Sequence, residues 1–149
     1  MLMPSSTRRG RPGESGVAAV EMALLAPLLV LLLMGVIETS WLLMQTLDVR
    51  QGAREAGRLA SVDFGDSTAI TAEGCAAMDN DDDTTITFSG SGVGLGEDIE
   101  ITVTKTADHL TSFLDWVFPP GMTLSNTATF ALEVSPPSWN DGTEACPTP

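Results

Sequence analysis

Basic residues, histidine and aromatic residues are scarce in this chain of 149 residues. Seven Lys and Arg oppose 20 Asp and Glu, for a formal net charge of −13. Because nucleic-acid binding needs clustered cationic side chains, this balance argues against a nucleic-acid partner. The single histidine, His109, cannot form a multi-histidine zinc site, and it lies in an apolar stretch that argues against a histidine-based triad. Since the sequence also has no phosphate loop and no dinucleotide fingerprint, it predicts neither an enzyme nor a bound cofactor.

The charges are unevenly distributed along the chain and divide it into three segments. Residues 1–16 carry three arginines against one glutamate, and residues 17–60 carry three arginines against four acidic residues. Residues 61–149 carry fifteen acidic residues against Lys105 alone. We therefore predict a basic leader (1–16), a long helix (17–60) and an acidic head domain (61–149). The hydrophobic share of 43% excludes an intrinsically disordered acidic protein.

The longest apolar run extends from Met22 to Ile37 and contains seven leucines but no charged residue. A helix that crosses a bilayer needs roughly 20 residues, and the range 17–37 provides that length. The Leu, Val and Ile residues of the run favour insertion by roughly 5 kcal/mol in sum. Glu21 does not prevent insertion, because a charge near the end of a span costs less than one at its centre. The sequence predicts a single transmembrane helix.

Two other interpretations of the apolar run compete with a retained span. A buried core helix is disfavoured, because a domain this small has little to wrap around such a leucine run. A cleaved secretory signal normally ends in a small-x-small site, whereas this run continues with Gly35, Val36, Ile37 and Glu38.

The helix is predicted to continue beyond the membrane to about Ala60, because residues 45–60 contain no proline. Arginines recur there with a spacing of four residues on one helical face, and we interpret this stripe as a solvated face or a contact with lipid headgroups. Glu55 is available to pair with Arg58 or with Gln51. The arginine stripe consists of Arg50, Arg54 and Arg58. The opposite side of the helix carries Leu47, Ala53, Ala56 and Ala60.

The junction between the leader and the helix is the most informative stretch of the sequence. It reads Arg9-Gly10-Arg11-Pro12-Gly13-Glu14-Ser15-Gly16, and the apolar helix follows from Val17 with a lone carboxylate at Glu21. This arrangement resembles the processing junction of type IV pilins and pseudopilins. The resemblance implies that a prepilin peptidase cuts between Gly16 and Val17 on the cytoplasmic side, after which the new N-terminus is usually methylated.

Glu21 would then be the fifth residue of the mature subunit and would serve subunit assembly. A new amine on Val17 is disfavoured by the helix dipole, and a neighbouring subunit's Glu21 could compensate it, because a paired charge is tolerable in a low dielectric where an unpaired one is costly. Docking would thus proceed until carboxylate meets amine. The alternative is that Glu21 only reaches toward the cytoplasmic headgroups.

Three further stretches sharpen the resemblance to the TadE-like minor pilins of the tight-adherence (Tad, or Flp) pilus system. The likeness covers about residues 14–60. It departs from the family pattern at Met22, where an aromatic residue is usual, and at Ala56-Gly57, whose order is often reversed. The three stretches are Glu21-Met22-Ala23-Leu24-Leu25-Ala26-Pro27-Leu28-Leu29, Gly35-Val36-Ile37-Glu38, and Ala53-Arg54-Glu55-Ala56-Gly57-Arg58.

The resemblance implies a single-pass protein of the bacterial inner membrane with a cytoplasmic N-terminus and a head domain outside. Its implied partners are the prepilin peptidase, the membrane, and other pilins and pseudopilins that pack helix against helix. Pro27 removes one helical hydrogen bond and is predicted to kink or loosen the helix, unless it is simply a tolerated membrane proline.

Beyond the helix, alternation of apolar and polar residues predicts half-buried antiparallel strands. Strands are expected at 84–88, at 99–104 and within 122–134, where Leu124, Ala128, Phe130 and Leu132 share one face. The range 109–118 has helical spacing (Leu110, Phe113, Leu114, Val117) and ends at Pro119-Pro120. The Pro-rich tail from Ser135 is expected to be irregular. The predicted fold class is α+β, a long transmembrane helix extending into a small antiparallel, pilin-like head.

Cys75 and Cys146 are predicted to form a disulfide, because two cysteines in a small domain beyond a membrane anchor are typical of an oxidising compartment. Such a bond would contribute about 4 kcal/mol in the chain-entropy description. Asp79, Asp81 and Asp83 have the spacing of an EF-hand start, but Thr84 and Gly90 stand where glycine and glutamate are required. A solvated acidic loop is therefore expected, with a loose calcium site as the alternative and no other metal site.

The sequence thus predicts a structural minor pilin or pseudopilin of a Tad pilus that acts in initiation, assembly or adhesion. Two alternatives from other classes remain open at this stage. One is an unprocessed, membrane-anchored extracytoplasmic binding protein. The other is a secreted enzyme with a conventional signal.

Overall fold

A computed structural model describes residues 14–62, 66–79, 82–90, 94–112, 115–134 and 141–147. The described residues begin with one long helix, α1 (Glu14–Val62). The chain divides into two compact units between Ile37 and Glu38, so α1 contributes to both. The fold is α+β, as predicted, with a long apolar helix followed by a small antiparallel sheet. The helix starts three residues earlier than expected.

The first unit consists of the apolar part of α1, and its large side chains are exposed. Leucine, alanine and methionine dominate this stretch, and they are among the best helix formers. Every leucine from Leu24 to Leu33 is exposed, and α1 is long and apolar enough to cross a membrane. A surface of this kind is stable in lipid and costly in water. The predicted membrane span is therefore available as a single helix.

The C-terminal half of α1 is the central helix of the second unit. Val49, Ala53, Ala56 and Ala60 recur at spacings of three and four residues and are completely or almost completely buried, which is the pattern of one helical face. Small residues on this face let neighbouring elements approach closely. Leu47, expected on the same side as these alanines, is instead exposed.

A second helix, α2 (Ser67–Ala76), follows α1 and was not predicted. Asp66 caps it, because its carboxylate accepts hydrogen bonds from the backbone N–H of Thr68 (3.0 Å) and Ala69 (3.4 Å). The two helices meet at glycines. A Cβ on Gly74 would lie 2.9 Å from Cβ of Ala56 and 3.3 Å from the carbonyl oxygen of Gly52.

Four antiparallel strands form one sheet with the order β3-β2-β1-β4. β1 (Thr84–Gly90) and β2 (Asp98–Thr106) form a hairpin in which Ile86 lies opposite Val103. β3 (Thr123–Ala131) pairs with the outer side of β2, and β4 (Gly142–Ala145) with the outer side of β1. The three predicted strand regions are confirmed.

The two faces of the sheet differ as the alternation of period two requires. The inner face supplies the core with Ile86, Phe88, Ile99, Ile101 and Val103, which are buried together with the alanines of α1. The opposite face is rich in threonines whose hydroxyl groups form hydrogen bonds between strands. Examples are Thr102 with Thr127 (2.7 Å) and Thr87 with Thr143 (3.0 Å). The head is thus a two-layer arrangement with one apolar core.

Two predictions about the head were wrong. The described residues of 109–118 form turns and a single 3-10 residue but no α-helix, and Phe113 and Leu114 lie outside the described residues. The reason is that side chains of α1 bind the backbone N–H groups of Leu110 and Thr111. In the tail, residues 142–145 form β4 and are not irregular, because pairing with β1 satisfies their backbone groups.

Candidate assembly and anchoring site

The residues predicted for processing and assembly all lie in the first unit, on α1. Gly16 and Val17 are the third and fourth residues of α1, and Val17 and Glu21 are one turn apart on the same face. Val17 is 61% exposed, and Glu21 is exposed as well. A Cβ built on Gly16 meets no atom within 4 Å. The stretch is therefore sterically open, and its roles in cleavage and assembly remain predictions.

Pro27 lies inside α1, and the helix continues on both sides of it. Because proline has no N–H, the carbonyl of Ala23 lacks its usual intrahelical donor at this point. The side chain of Pro27 is exposed, like the leucines that follow it. A loosening of the helix here stays a prediction.

Glu38 is the first residue of the second unit, and it is 1% exposed. Its carboxylate accepts three hydrogen bonds from a segment more than 70 residues away in the chain. The donors are the backbone N–H of Leu110 (3.0 Å), the backbone N–H of Thr111 (3.2 Å) and the Thr111 hydroxyl (3.1 Å). Hydrogen bonds to an ionised acceptor are the strong ones, so this buried charge fixes the loop on the helix.

Gln45 makes a second connection to the same loop, two helical turns after Glu38. Its amide Nε2 donates to the carbonyl oxygen of Asp108 (2.8 Å), and its Oε1 accepts from the Asp108 N–H (2.9 Å). Gln45 is buried, so both polar ends of its side chain need such partners. Glu38 and Gln45 together hold residues 108–111, and we call this set of contacts the loop clamp. The sequence pattern predicted no role for Gln45, and it placed Glu38 only at the end of the apolar run and in the family resemblance.

Ionic groups surround the clamped loop. Lys105 is 1% exposed, and its Nζ lies 3.6 Å from the carboxylate of Asp108. Nδ1 of His109 lies 3.4 Å from the carboxylate of Asp115. Asp48 of α1 has a pKa raised above its ordinary value by burial and by the charge of Asp79, while Lys105 acts in the opposite direction.

The arginine stripe on α1 is exposed, as predicted for a solvated face. Arg58 donates from Nε (2.9 Å) and from a terminal nitrogen (2.5 Å) to the same oxygen of Glu55. This bond lowers the pKa of Glu55 and raises that of Arg58. Of the two partners suggested for Glu55, the structure therefore selects Arg58.

Cys75 and Cys146 form the predicted disulfide, with their Cα atoms 5.8 Å apart. The bond ties the C-terminal turn of α2 to the residue that follows β4. The backbone N–H of Cys146 also donates to the carbonyl of Thr84 (3.0 Å), and the Ser67 hydroxyl donates to the Glu144 carboxylate at the other end of α2. The covalent link and these hydrogen bonds hold α2 and the edge strand together.

The acidic stretch considered for calcium is only partly described, because Asp81 lies outside the described residues. Asp79 is exposed, and Asp83 has a φ of 51°. Within the described ranges, no group of three or more His, Cys, Asp or Glu side chains is placed to hold a metal ion. The described positions of this acidic stretch thus do not support the alternative of a loose calcium site.

Comparison with known families gives one match. The family model described as TadE-like protein matches residues 16–58, which begin at the predicted cleavage glycine and include most of α1. The chain carries a TadE-like helix. Neither the curated proteins nor the solved structures include a match to the chain. The match confirms the resemblance predicted from the sequence and is consistent with a Tad-pilus-associated protein. The apolar part of the TadE-like helix is a candidate single-pass membrane anchor.

Proposed function

We propose that this chain is a minor pilin or pseudopilin of a Tad (Flp) type IV pilus and that its role is structural. The main support is the TadE-like match over residues 16–58, which starts where a basic, glycine-rich prefix meets the apolar helix. The subunit would act in pilus initiation, assembly or adhesion, either within the fibre or in its basal complex. It would catalyse no reaction itself.

In this proposal, a prepilin peptidase cuts between Gly16 and Val17 and leaves the apolar helix on the product. Glycine before the cut suits a protease that must grip an unhindered backbone. The leader with its three arginines would stay in the cytoplasm, and the head would lie outside. The disulfide of the head supports this orientation, because such bonds persist in oxidising compartments.

Assembly would use the exposed side chains of the span. The large apolar residues from Val17 to Ile37 are exposed, so their side chains could contact lipid and the helices of other pilins. Glu21 is the acidic residue within this surface. An unpaired carboxylate is costly in lipid, so pairing with the Val17 amine of a neighbouring subunit would favour one register of the packed helices.

The processing step is tested by changing Gly16→Leu, with Gly35→Leu as the matched control. A Cβ at either glycine meets no atom within 4 Å, so neither variant is expected to disturb the described fold. Both are expressed in cells with a Tad prepilin peptidase, and the mature N-terminus is sequenced. We expect Gly16→Leu to keep its sixteen-residue leader and the control to lose it.

The unchanged protein gives a three-way result in the same experiment. A mature chain that starts at Val17, methylated or not, supports the pilin role. A chain that starts at Met1 supports the unprocessed membrane-anchored binding protein, and a start beyond residue 35 supports a secreted protein. Either of the last two results contradicts the proposal.

The assembly role of Glu21 is tested by Glu21→Gln, with Glu55→Gln as a control on an exposed carboxylate of the same helix. We expect Glu21→Gln to insert into the membrane at normal levels but to be absent from pili or assembly complexes. The control variant should assemble normally, because Glu55 pairs with Arg58 within its own subunit. Equal incorporation of both variants would contradict charge pairing through Glu21.

A further inference from the structure

The clamped loop contacts Glu38, the residue that directly follows the apolar run in the sequence. Glu38 follows Ile37, the last residue of that run, without a break in α1. Its carboxylate holds the backbone of Leu110 and Thr111 at 3.0 and 3.2 Å. The first polar turn after a membrane span lies among the lipid headgroups. The loop is thus fixed next to the residue that marks this boundary.

Large apolar side chains are exposed in the described part of the β2–β3 loop, the connection that contains the clamped residues 108–111. Trp116 is 78% exposed, Leu110 51% and Val117 45%, whereas the apolar residues of β1 and β2 are buried in the core. On α1 itself, Leu43 and Met44 are also exposed just after Glu38. Tryptophan is enriched at membrane interfaces, because its ring is apolar while its N–H keeps a polar contact.

We propose that the β2–β3 loop, through Leu110, Trp116 and Val117, rests in the headgroup interface of the same bilayer that α1 spans. The loop would be a second membrane contact of the head, positioned by Glu38 and Gln45. Its carboxylates, Asp108 and Asp115, would limit the depth and keep the contact interfacial. The inference uses the membrane span and not the pilus role, so a failure of the pilin proposal would leave it standing.

A lipid surface fits these residues better than a second copy of the chain does. Residues 61–149 carry fifteen acidic residues against one lysine, so two heads that met at this loop would repel each other. A bilayer contact, by contrast, takes up exposed apolar side chains and needs no cationic partner. Contact with a second copy is therefore the outcome that would count against the proposal.

The test compares tryptophan at two equally exposed positions in the full chain, reconstituted in phosphatidylcholine vesicles. One variant keeps Trp116 as its sole tryptophan (Trp41→Phe, Trp139→Phe). The other lacks all three native tryptophans and carries Leu95→Trp. Leu95 is 73% exposed and lies in the β1–β2 connection, at the other end of the β2 strand from the clamped loop.

We expect the emission of Trp116 to shift to the blue in vesicles and to be quenched by lipids brominated near the headgroup end of the chain. Lipids brominated near the chain terminus should quench it less. Tryptophan at position 95 should keep the emission of an exposed residue and resist both lipids. Emission and quenching that are the same at 116 and 95 would overturn the proposal.

A second measurement needs no change to the native tryptophans at 41 and 139. A photo-reactive benzoylphenylalanine replaces Trp116 in the otherwise unchanged chain, with Leu95 replaced in the control. Illumination in vesicles should attach lipid to the chain from position 116 and not from position 95. Cross-links from 116 to a second copy in place of lipid would identify a subunit contact and overturn the proposal.

Discussion

The two halves of α1 have the same backbone and opposite surroundings. From Val17 to Ile37 the helix carries large leucine, valine and methionine side chains, and most of them are exposed. From Glu38 to Val62 its buried positions are mainly small, with alanines at 53, 56 and 60. Helix propensity is high in both halves, so it does not distinguish them. Side-chain size distinguishes the two halves. Bulky residues present a surface suited to lipid, and small residues let a sheet and a second helix approach.

The glutamates at the start of each half show the same contrast. Glu21 is exposed on the apolar half, whereas Glu38 is buried on the packed half and accepts three hydrogen bonds. A carboxylate in an apolar setting needs partners. Glu38 has hydrogen-bond partners within its own subunit, whereas the exposed carboxylate of Glu21 can take a partner from outside the subunit. The following predictions test how far this contrast extends, beginning with the largest effect.

Removing the disulfide should produce the largest loss and should affect only the packed half. In the double variant Cys75→Ser, Cys146→Ser, a loop with a sequence separation of 71 is no longer closed. The chain-entropy description gives a loss of about 4 kcal/mol in the free energy of unfolding of the head. Urea unfolding of the full chain in detergent micelles, followed by near-UV circular dichroism, measures this.

A reducing agent is the control for the disulfide variant. It should lower the unfolding free energy of the unchanged protein to that of the variant, and it should not change the unfolding free energy of the variant. Insertion of the apolar half, measured by resistance to carbonate extraction, should be the same in all samples. Equal urea midpoints for the oxidised protein and the variant would refute the prediction.

The loop clamp should give the next largest effect. Glu38→Ala leaves the backbone N–H groups of Leu110 and Thr111 without their acceptor, and hydrogen bonds to a charged group contribute up to about 3 kcal/mol. We expect a loss of about 3 kcal/mol in head stability, measured by the same urea titration. Glu21→Ala is the matched change on the apolar half and should leave head stability unchanged. Similar midpoints for the two variants would show that Glu38 is not an anchor.

Glycine at the crossing of α1 and α2 should tolerate no side chain. In Gly74→Ala the new methyl group would lie 2.9 Å from Cβ of Ala56, which cannot rotate away. Overpacking of this kind costs about 1–3 kcal/mol, partly offset by the better helix propensity of alanine. Gly35→Ala in the apolar half, where no atom lies within 4 Å, should not destabilise the protein. If Gly74→Ala melted at or above the temperature of Gly35→Ala, the close crossing would be wrong.

The smallest effect concerns pH. Burial first, and then Asp79, raise the pKa of Asp48 above its ordinary value of 3.8. The folded state therefore holds this proton more tightly than the unfolded state, and stability falls as the pH rises from about that value through the raised pKa. Asp48→Asn should remove this component, so its unfolding free energy should fall less than that of the unchanged protein over the same pH range.

Glu55 provides a control of opposite sign for this pH dependence. Its pKa is lowered by the bond from Arg58, so its contribution is present above the unfolded pKa and is lost as the pH falls through the folded one. Glu55→Gln should remove a stabilising component that fades in acid. If Asp48→Asn and Glu55→Gln changed the pH profile in the same direction, the assignment for Asp48 would be wrong.

The parts of the fold that have a strong local pattern were predictable from the sequence. The apolar run and its continuation gave α1, and the alternation of threonine with apolar residues gave β1, β2 and β3. α2 was missed because its ten residues include glycine, serine and two threonines and show no apolar periodicity. The available signal was Asp66, a favourable N-cap residue.

Long-range contacts account for the remaining differences. β4 has four residues, too few for a pattern, and it is a strand because β1 offers it an edge. The spacing of Leu110 and Val117 suggested a helix, but Glu38 and Gln45 bind the backbone there. Nothing in the sequence links Glu38 to residues more than 70 positions away. The disulfide was the long-range contact that could be predicted, because the chain has only two cysteines.

The position of the disulfide sets an order for maturation. Cys75 belongs to the first element after α1, whereas Cys146 follows the last strand of the sheet. In the topology proposed above, β1 to β4 would all have to reach the side of the membrane where thiols are oxidised before this bond could close. A head whose export stopped before β4 would then keep a reduced thiol on Cys75. Under that proposal, the redox state of this one residue would report whether a given molecule had been completely translocated.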